Sequence, residues 1–276
     1  MNALGFKFPI QERKTALYNL EENWYLPLLA EKRGLSLQNI KRSNFGQYSM
    51  AVNYLTSVLE EAAAINKVAV YNIDHMAQLY FYGPDVVTLL NRALTGNFTD
   101  MKVGQCKYSL LLNDKGGVQD DMILMRVSET SFILVINAGH DITDTVEIDN
   151  KKQEYIADID RIMACKKGGE EVFAKDISDT LVKIDIQGPL SYKLIKEVYG
   201  ADVLKNRNNP EKNMSFFTFN EFELNGHHYY LSRTGYTNRW GWELYIPAAA
   251  AEEDAKKIIT KALDFGGLLV GLGGRD

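Results

Sequence analysis

Between residues 68 and 137 the chain is written in short apolar runs: VAVYNI, MAQLYFYG, YSLLLN, MILMRVS and SFILVINA. Each is rich in β-branched and aromatic residues and bounded by Gly, Asn, Asp or Pro, which is the grammar of strands in a sheet. One segment breaks the series. GPDVVTLLNRAL puts Val87, Leu90 and Leu94 at helical spacing behind Pro84, which suits a first helical turn. A second block repeats the scheme with LVKIDIQG, a helix over PLSYKLIKEVYG, then FFTFNEFELNGHHYYLSRTG, WELYIP and the helix AAAEEDAKKIITKALDFG. Strand runs layered with helices predict an α+β fold built from two α/β-sandwich lobes. The seam falls near 150–175, where IDNKKQE and CKKGGEE concentrate charge and glycine, and part of 141–163 (DITDTVEIDNKKQEYIADIDRIM) is expected to be helical.

Ahead of residue 68, residues 15–31 and 50–67 carry apolar side chains at helical spacing, with Val52, Leu55, Val58, Leu59 and Ala62 on one face of the second. The polar stretch between them predicts a surface connection. The expected organisation is a helical N-terminal segment over 1–57, an α+β lobe over 58–155 and a second over 156–276. Composition agrees with a globular chain: 46% hydrophobic and 24% charged residues exclude a disordered, collagen-like or coiled-coil protein. The 276 residues suffice for a core that needs no disulfide or metal. Thirty-one basic against 36 acidic residues give a net charge of −5, with no electrostatic footprint for nucleic acid or an anionic membrane. Cys106 and Cys165 cannot form a disulfide framework and fit a reducing cytoplasm. No apolar run approaches the ~18 residues of a membrane span, and MNALGFKFPIQERK carries charges where a signal peptide needs an apolar core. A soluble, cytoplasmic protein is expected.

Chemistry concentrates in two places. In YSLLLNDKGGVQDDMILMRV, Asp114-Lys115-Gly116-Gly117 supplies the positive-φ positions of a tight hairpin. Beyond it the strand alternates, so Asp121 shares a face with Ile123, Met125 and Val127, while Asp120 points the other way with Met122, Leu124 and Arg126. A carboxylate on a buried apolar face must find donors or have a raised pKa, which suits a site for a nitrogen-rich ligand. The alternative is an acidic pair that merely begins the strand in solvent. In SRTGYTNRWGWELYIP, Arg233, Tyr236, Arg239, Trp240 and Glu243 crowd a loop between strands. Arginine and aromatics can stack on a planar heterocycle, and glutamate can accept from a ring amine. A glycine-containing turn with core tryptophans explains the same residues. Elsewhere the reading is structural: His227 and His228 face opposite ways, His75 is a core histidine, Cys106 has no basic partner, and no metal-ligand spacing occurs.

Together the segment VAVYNIDHM through MILMRV, IQGP (186–189), SRTGYTNRWGWELYIP and GLGGRD (271–276) resemble, in order and approximate spacing, the aminomethyltransferase family, the glycine cleavage T-protein and its relatives. The resemblance runs from residue 58 to the last. It implies two α+β lobes around a central folate channel, with a C-terminal β domain that follows GLG-x-RD in the family; since the sequence stops at Asp276, the expectation is that the chain is truncated or that this domain is absent. It implies tetrahydrofolate, or its 5,10-methylene or 5-methyl form, as the bound cofactor, and transfer of a methylene or methyl group to N5. Carried over residue by residue, Asp121 is the catalytic aspartate that contacts the pterin. Tyr108, Ile123, Met125 and Asn137 line the pterin pocket, Glu243 binds the pterin amino group, and Arg275 reaches into the channel. On this reading Glu243 serves binding rather than stability, and Asp120 takes no part. The chain departs from the family on the donor side: nothing in residues 1–45 matches the F-A-G-W-x-M-P-type segment. F-D-V-S-H-M has become YNIDHM, with Asn72 and Asp74 at altered positions; Ile65 stands for an arginine and Ala69 for a glycine. The donor is therefore either a lipoylated carrier protein or a small methylated sulfonium, amine or aromatic ether. A non-catalytic folate-binding protein is the third alternative, although the K-G-C-Y-x-G-Q-E signature of the family's iron–sulfur-assembly branch is absent.

Overall fold

The β-rich runs become strands of two sheets that face each other across an apolar layer. In the computed structural model, which describes residues 12–141, 144–148 and 151–275, the chain enters as one helical run: α1 (Tyr18–Leu20), a π-helical turn (Glu21–Tyr25) and α2 (Leu26–Arg33). A hairpin of β1 (Lys41–Phe45) and β2 (Tyr48–Asn53) precedes α3 (Val58–Ala62). Then come β3 (Ala69–Asn72), β4 (Ala77–Tyr82), α4 (Val86–Ala93), β5 (Cys106–Leu112), β6 (Val118–Ser128) and β7 (Ser131–Ile136). Hairpin β8 (Asp144–Ile148) and β9 (Lys151–Tyr155) leads into α5 (Asp158–Ala164) and β10 (Phe173–Asp176). The remainder is β11 (Leu181–Gln187), α6 (Ser191–Tyr199), β12 (Lys205–Asn206), β13 (Asn209–Asn213), β14 (Phe219–Leu224), β15 (His227–Ser232), β16 (Gly241–Pro247), α7 (Ala251–Asp264) and β17 (Leu268–Val270).

One sheet has the order β10-β4-β7-β6-β5 and is antiparallel throughout; the other runs β14-β15-β16-β11-β3-β17, with only the β17–β3 pair parallel. Helices cover the outer faces. Leu89 and Leu90 of α4 and Ile162 of α5 pack on Leu79, Leu124 and Leu134 of the first sheet. Leu194 of α6 and Ile258 of α7 pack on Ile184, Ile186 and Leu244 of the second. Between the sheets, Cys106, Met125, Ile133 and Val135 meet Leu181, Phe219 and Tyr245. Both sheets are thus covered on both faces, a helix–sheet–sheet–helix stack. Among the described residues no helix is long and apolar enough to cross a membrane.

Two local expectations are corrected. Met50–Asn53 belongs to strand β2, not to a helix, because the Phe45–Tyr48 turn pairs β2 with β1 and buries Met50 and Ala51. The helix starts only at Ser57, whose hydroxyl accepts from the Glu60 N–H as an N-cap. Within 141–163, residues 144–148 and 151–155 form the β8–β9 hairpin and only 158–164 is helical. The first eleven residues of the 1–57 segment lie outside the described residues. The sheets also draw strands across position 155: β3 pairs with β11 and β17, and β10 pairs back with β4.

Candidate functional site

Beside the apolar inter-sheet layer lies a cavity of about 670 Å³, with one wall from each sheet. Tyr108 of β5, Asp121 and Ile123 of β6, and Asn137 just past β7 form the first wall. This wall is aligned by the 113–117 turn. There the Asn113 carboxamide oxygen accepts from the Lys115 and Gly117 N–H groups, while Gly116 takes φ +80°. The resulting register sets Leu110 opposite Asp121 and Tyr108 opposite Ile123. Glu243 of β16, Lys183 of β11 and Tyr236 form the second wall, and His75 and Arg275 also line the cavity. Six of the seven residues expected at a folate site, Tyr108, Asp121, Ile123, Asn137, Glu243 and Arg275, therefore meet around one space. Met125 does not; it is fully buried against Ile133, Val135 and Tyr245 and backs the wall instead of lining it.

Asp121 sits on the predicted face, but that face is open at this end and the carboxylate is exposed rather than desolvated. Its orientation comes from Asn137, whose side-chain amide donates to Asp121 Oδ1 at 3.0 Å and to Asp120 Oδ1 at 2.7 Å. The phenol of Tyr108 is raised by local desolvation and by the neighbouring Asp121 carboxylate, to which it hydrogen-bonds.

Asp120, expected to be uninvolved, is buried and central to this arrangement. It accepts from the backbone N–H of Asn137 at 3.1 Å as well as from the side chain. It also faces His140, which lies between it and Asp158 at 3.8 and 3.6 Å. Burial pushes the Asp120 carboxyl up to about 7 against the opposing pull of His140. Burial alone would lower His140, but its hydrogen bond to Asp158 and the two acidic neighbours outweigh that and hold the imidazole above its ordinary value. The three side chains offer ligand atoms within 4.8 Å of one another, but both Asp120 oxygens already accept from Asn137. The cluster anchors Asn137, and through it Asp121.

Glu243 is also more deeply engaged than expected. Its Oε1 takes Lys183 Nζ at 3.0 Å and its Oε2 takes the Thr234 hydroxyl. Burial by itself would raise Glu243, but the Lys183 ammonium and the Thr234 hydroxyl prevail and hold it below the usual carboxylate range. The ion pair is shut away from solvent, with Lys183 only 2% exposed. Directly across the strands from Glu243 is Asp185, fully buried and pushed up to about 7 by burial and then by the Glu243 charge. Gln187 donates to Asp185 Oδ1, and Arg275 Nε stands 3.9 Å from Oδ2. Gly235 and Gly241 both press on the Gln187 side chain, where a Cβ would come within 2.2 and 2.3 Å of it. The two glycines of the RTGYTNRWGWE loop are thus fixed by packing. In that loop Arg233 stacks on Trp240 at 4.5 Å, while Arg239 and Trp240 are exposed and do not line the cavity.

Sequence reasoning missed Lys183 and undervalued His75. His75 lines the cavity rather than filling core. Burial, then the charges of Arg275 and Lys183, push it down to about 3, so the ring is neutral near pH 7. Its Nδ1 has no hydrogen-bond partner among the described residues. Cys106 is inert as expected, its thiol pushed up by burial. The altered motif positions are structural: Asn72 donates to Thr15 and Glu21, and Asp74 accepts from the N–H groups of Ala16 and Lys183. Both tie the entering helical run to the sheets.

A sequence profile of the GCVT N-terminal domain matches residues 35–276. The chain belongs to that family, the aminomethyltransferases. This GCVT chain is 28% identical over 237 residues to an aminomethyltransferase of Pseudothermotoga lettingae, covering 86% of the chain and 59% of the relative. It is 27% identical over 236 residues to an aminomethyltransferase of Exiguobacterium sibiricum, covering 86% and 58%. The crystal structure of the glycine cleavage system aminomethyltransferase T from Bartonella henselae superposes with a TM-score of 0.70 at 27% identity, covering 96% of this chain and 61% of that one. The GCVT chain has the fold of these proteins and spans about three-fifths of their length.

Proposed function

We propose that the cavity between the two sheets binds a reduced folate and that the chain serves one-carbon transfer to it. The observation that carries this reading is convergence: Asp121, Asn137 and Tyr108 arrive from one sheet and Glu243 and Arg275 reach the same space from the other side. The space suits the group, since about 670 Å³ falls within the ~300–1,000 Å³ of small-molecule sites. When bound, a tetrahydrofolate supplies a nucleophilic ring nitrogen, N5, that accepts a methylene or methyl group.

The chain's own residues divide the remaining work. Glu243 stays ionised beside Lys183 and, with about four lone-pair positions of which two are in use, accepts from the pterin amine edge. Arg275, whose Nε stands 3.9 Å from Asp185 Oδ2, lines the same cavity and brings a guanidinium to its wall. Asp121, held by Asn137, places a carboxylate where positive charge develops at N5, an electrostatic role first and a general-base role second. A small methylated donor, in preference to a lipoylated carrier, is supported by Asn72 and Asp74. The altered motif positions are committed to holding the entering segment. Turnover with methylated sulfonium, amine and aryl ether compounds, compared with an aminomethyl-lipoyl carrier, separates the two.

The test of the binding reading is thermal. Tetrahydrofolate should raise the melting temperature, because a ligand that prefers the native state stabilises by mass action, whereas NAD(P) and ATP should not. A response to nucleotide with none to tetrahydrofolate ends it.

A further inference from the structure

Lys183 is a strand residue at the centre of a sheet, and its ammonium is sealed between the sheets instead of reaching water. Its surroundings give it less than it can use. An ammonium carries three donors; among the described residues these meet Glu243 Oε1 at 3.0 Å and the weak acceptor Met76 Sδ at 3.8 Å, with the Tyr245 ring 5.3 Å away. Lys183 also lines the cavity, so the remaining donor capacity is available to a ligand there. The opposite side of the pair is complementary. Glu243 is an ionised acceptor whose two oxygens each retain lone-pair capacity. The wall therefore presents two acceptor positions with a cationic donor 3.0 Å beside them. As a neutral pair it favours an uncharged ring over an ionised one.

We propose that Lys183 determines ring specificity: it donates to the 4-oxo group of a bound pteridine while Glu243 accepts from the adjacent N3–H and 2-amino groups. The proposal rests on the folate reading above and adds to it the residue that distinguishes a 2-amino-4-oxo ring from a 2,4-diamino one. A 4-amino ring would turn a donor toward the ammonium and leave it unpaired. Discrimination of this kind arises as much from the mismatched partner as from the matched one. Guanine carries the same edge on a purine, so the ring system must be tested together with the edge.

The experiment measures dissociation constants of 5-formyltetrahydrofolate, its 4-amino counterpart and guanosine. The proteins are the 276-residue chain, Lys183→Met, and the double variant Lys183→Met/Glu243→Gln, in which no buried charge is orphaned. The unaltered chain should prefer the 4-oxo folate over the 4-amino form by about 10–100-fold, the range of one hydrogen bond to a charged group. Both variants should lose that preference, whatever happens to absolute affinity. A counter-ion with no ligand contact would move affinity or stability but not the ratio. Retention of the ratio in both variants overturns the role of Lys183 and leaves folate binding standing. Failure of the unaltered chain to bind either folate overturns both, and binding of guanosine in their place, with the same dependence on Lys183, transfers the edge to a purine and ends the folate reading.

Discussion

Glu243→Ala should destabilise the protein sharply, although Glu243 resembles a pure ligand contact. The substitution leaves the Lys183 ammonium 2% exposed, with the Met76 thioether as its remaining acceptor among the described residues. Removing one partner of a buried ion pair typically costs about 3–5 kcal/mol, because the other charge stays buried and uncompensated. For a chain of this size each kcal/mol shifts the melting temperature by about 2–4 °C, so a fall of about 6–20 °C is expected. Glu243→Gln keeps its amide oxygen as an acceptor for Lys183, while its amide NH2 can donate to the Thr234 hydroxyl oxygen, and it should lose less. Lys183→Met/Glu243→Ala should recover much of the deficit, since the cost lies in the orphaned charge and not in the missing bond. Differential scanning calorimetry on the four proteins decides. If Glu243→Ala melts within about 2 °C of the parent, or if the double variant is no better than the single one, the reasoning fails.

Three further outcomes follow from the geometry. Asp121→Asn, in an active full-length context, should lower turnover by about 10²–10³-fold and change folate affinity by less than about tenfold; a loss confined to affinity would make Asp121 a binding residue. Asp120→Asn should cost about 1–3 kcal/mol of stability by leaving the Asn137 donors mismatched in a buried setting, whereas exposed Asp121→Asn should stay within about 0.5 kcal/mol; equal losses on urea denaturation would refute the anchoring role of Asp120. Asp185 has a folded pKa pushed up to about 7 from 3.8, so its protonated form favours the fold: the contribution is full below about pH 4 and is lost as pH rises through about 7. The melting temperature of Asp185→Asn should accordingly fall less between pH 5 and 8 than that of the parent, and parallel profiles would rule this out.

Much of this structure was legible in the order of residues. Strands β3 to β7, the helix behind Pro84 and the 113–117 turn announce themselves through β-branched runs, helical spacing and glycine placement. The site was legible only through motif resemblance, because no local rule says that Asp121 and Glu243, far apart in sequence, share a cavity. What the pattern concealed has a physical cause. In LVKIDIQG the apolar Val182, Ile184 and Ile186 alternate with Lys183, Asp185 and Gln187, which reads as a strand with one face in water. The first sheet covers that polar face, so the three polar residues become the most deeply buried charged and amide groups of the site. Alternation reports two unlike faces, not which of them is wet. The same ambiguity reversed the two aspartates: the Asp120 face is packed beneath helix α4, while the Asp121 face opens at its end into the cavity.

Residues 73–76 carry the chain from β3 in one sheet to β4 in the other, and β10, which lies beyond residue 155, pairs with β4 in that same sheet. Each wall of the cavity is therefore stitched by strands from both halves of the polypeptide. A cut in the chain near residue 155 would leave neither half with a complete sheet, and each fragment would present a raw hydrogen-bonding edge to its surroundings. Shuffling one wall between relatives would bring strands of the other with it. The groups that meet in the cavity are in this sense inherited as a single unit, and their separation is set by the packing between the sheets instead of by the angle of a hinge.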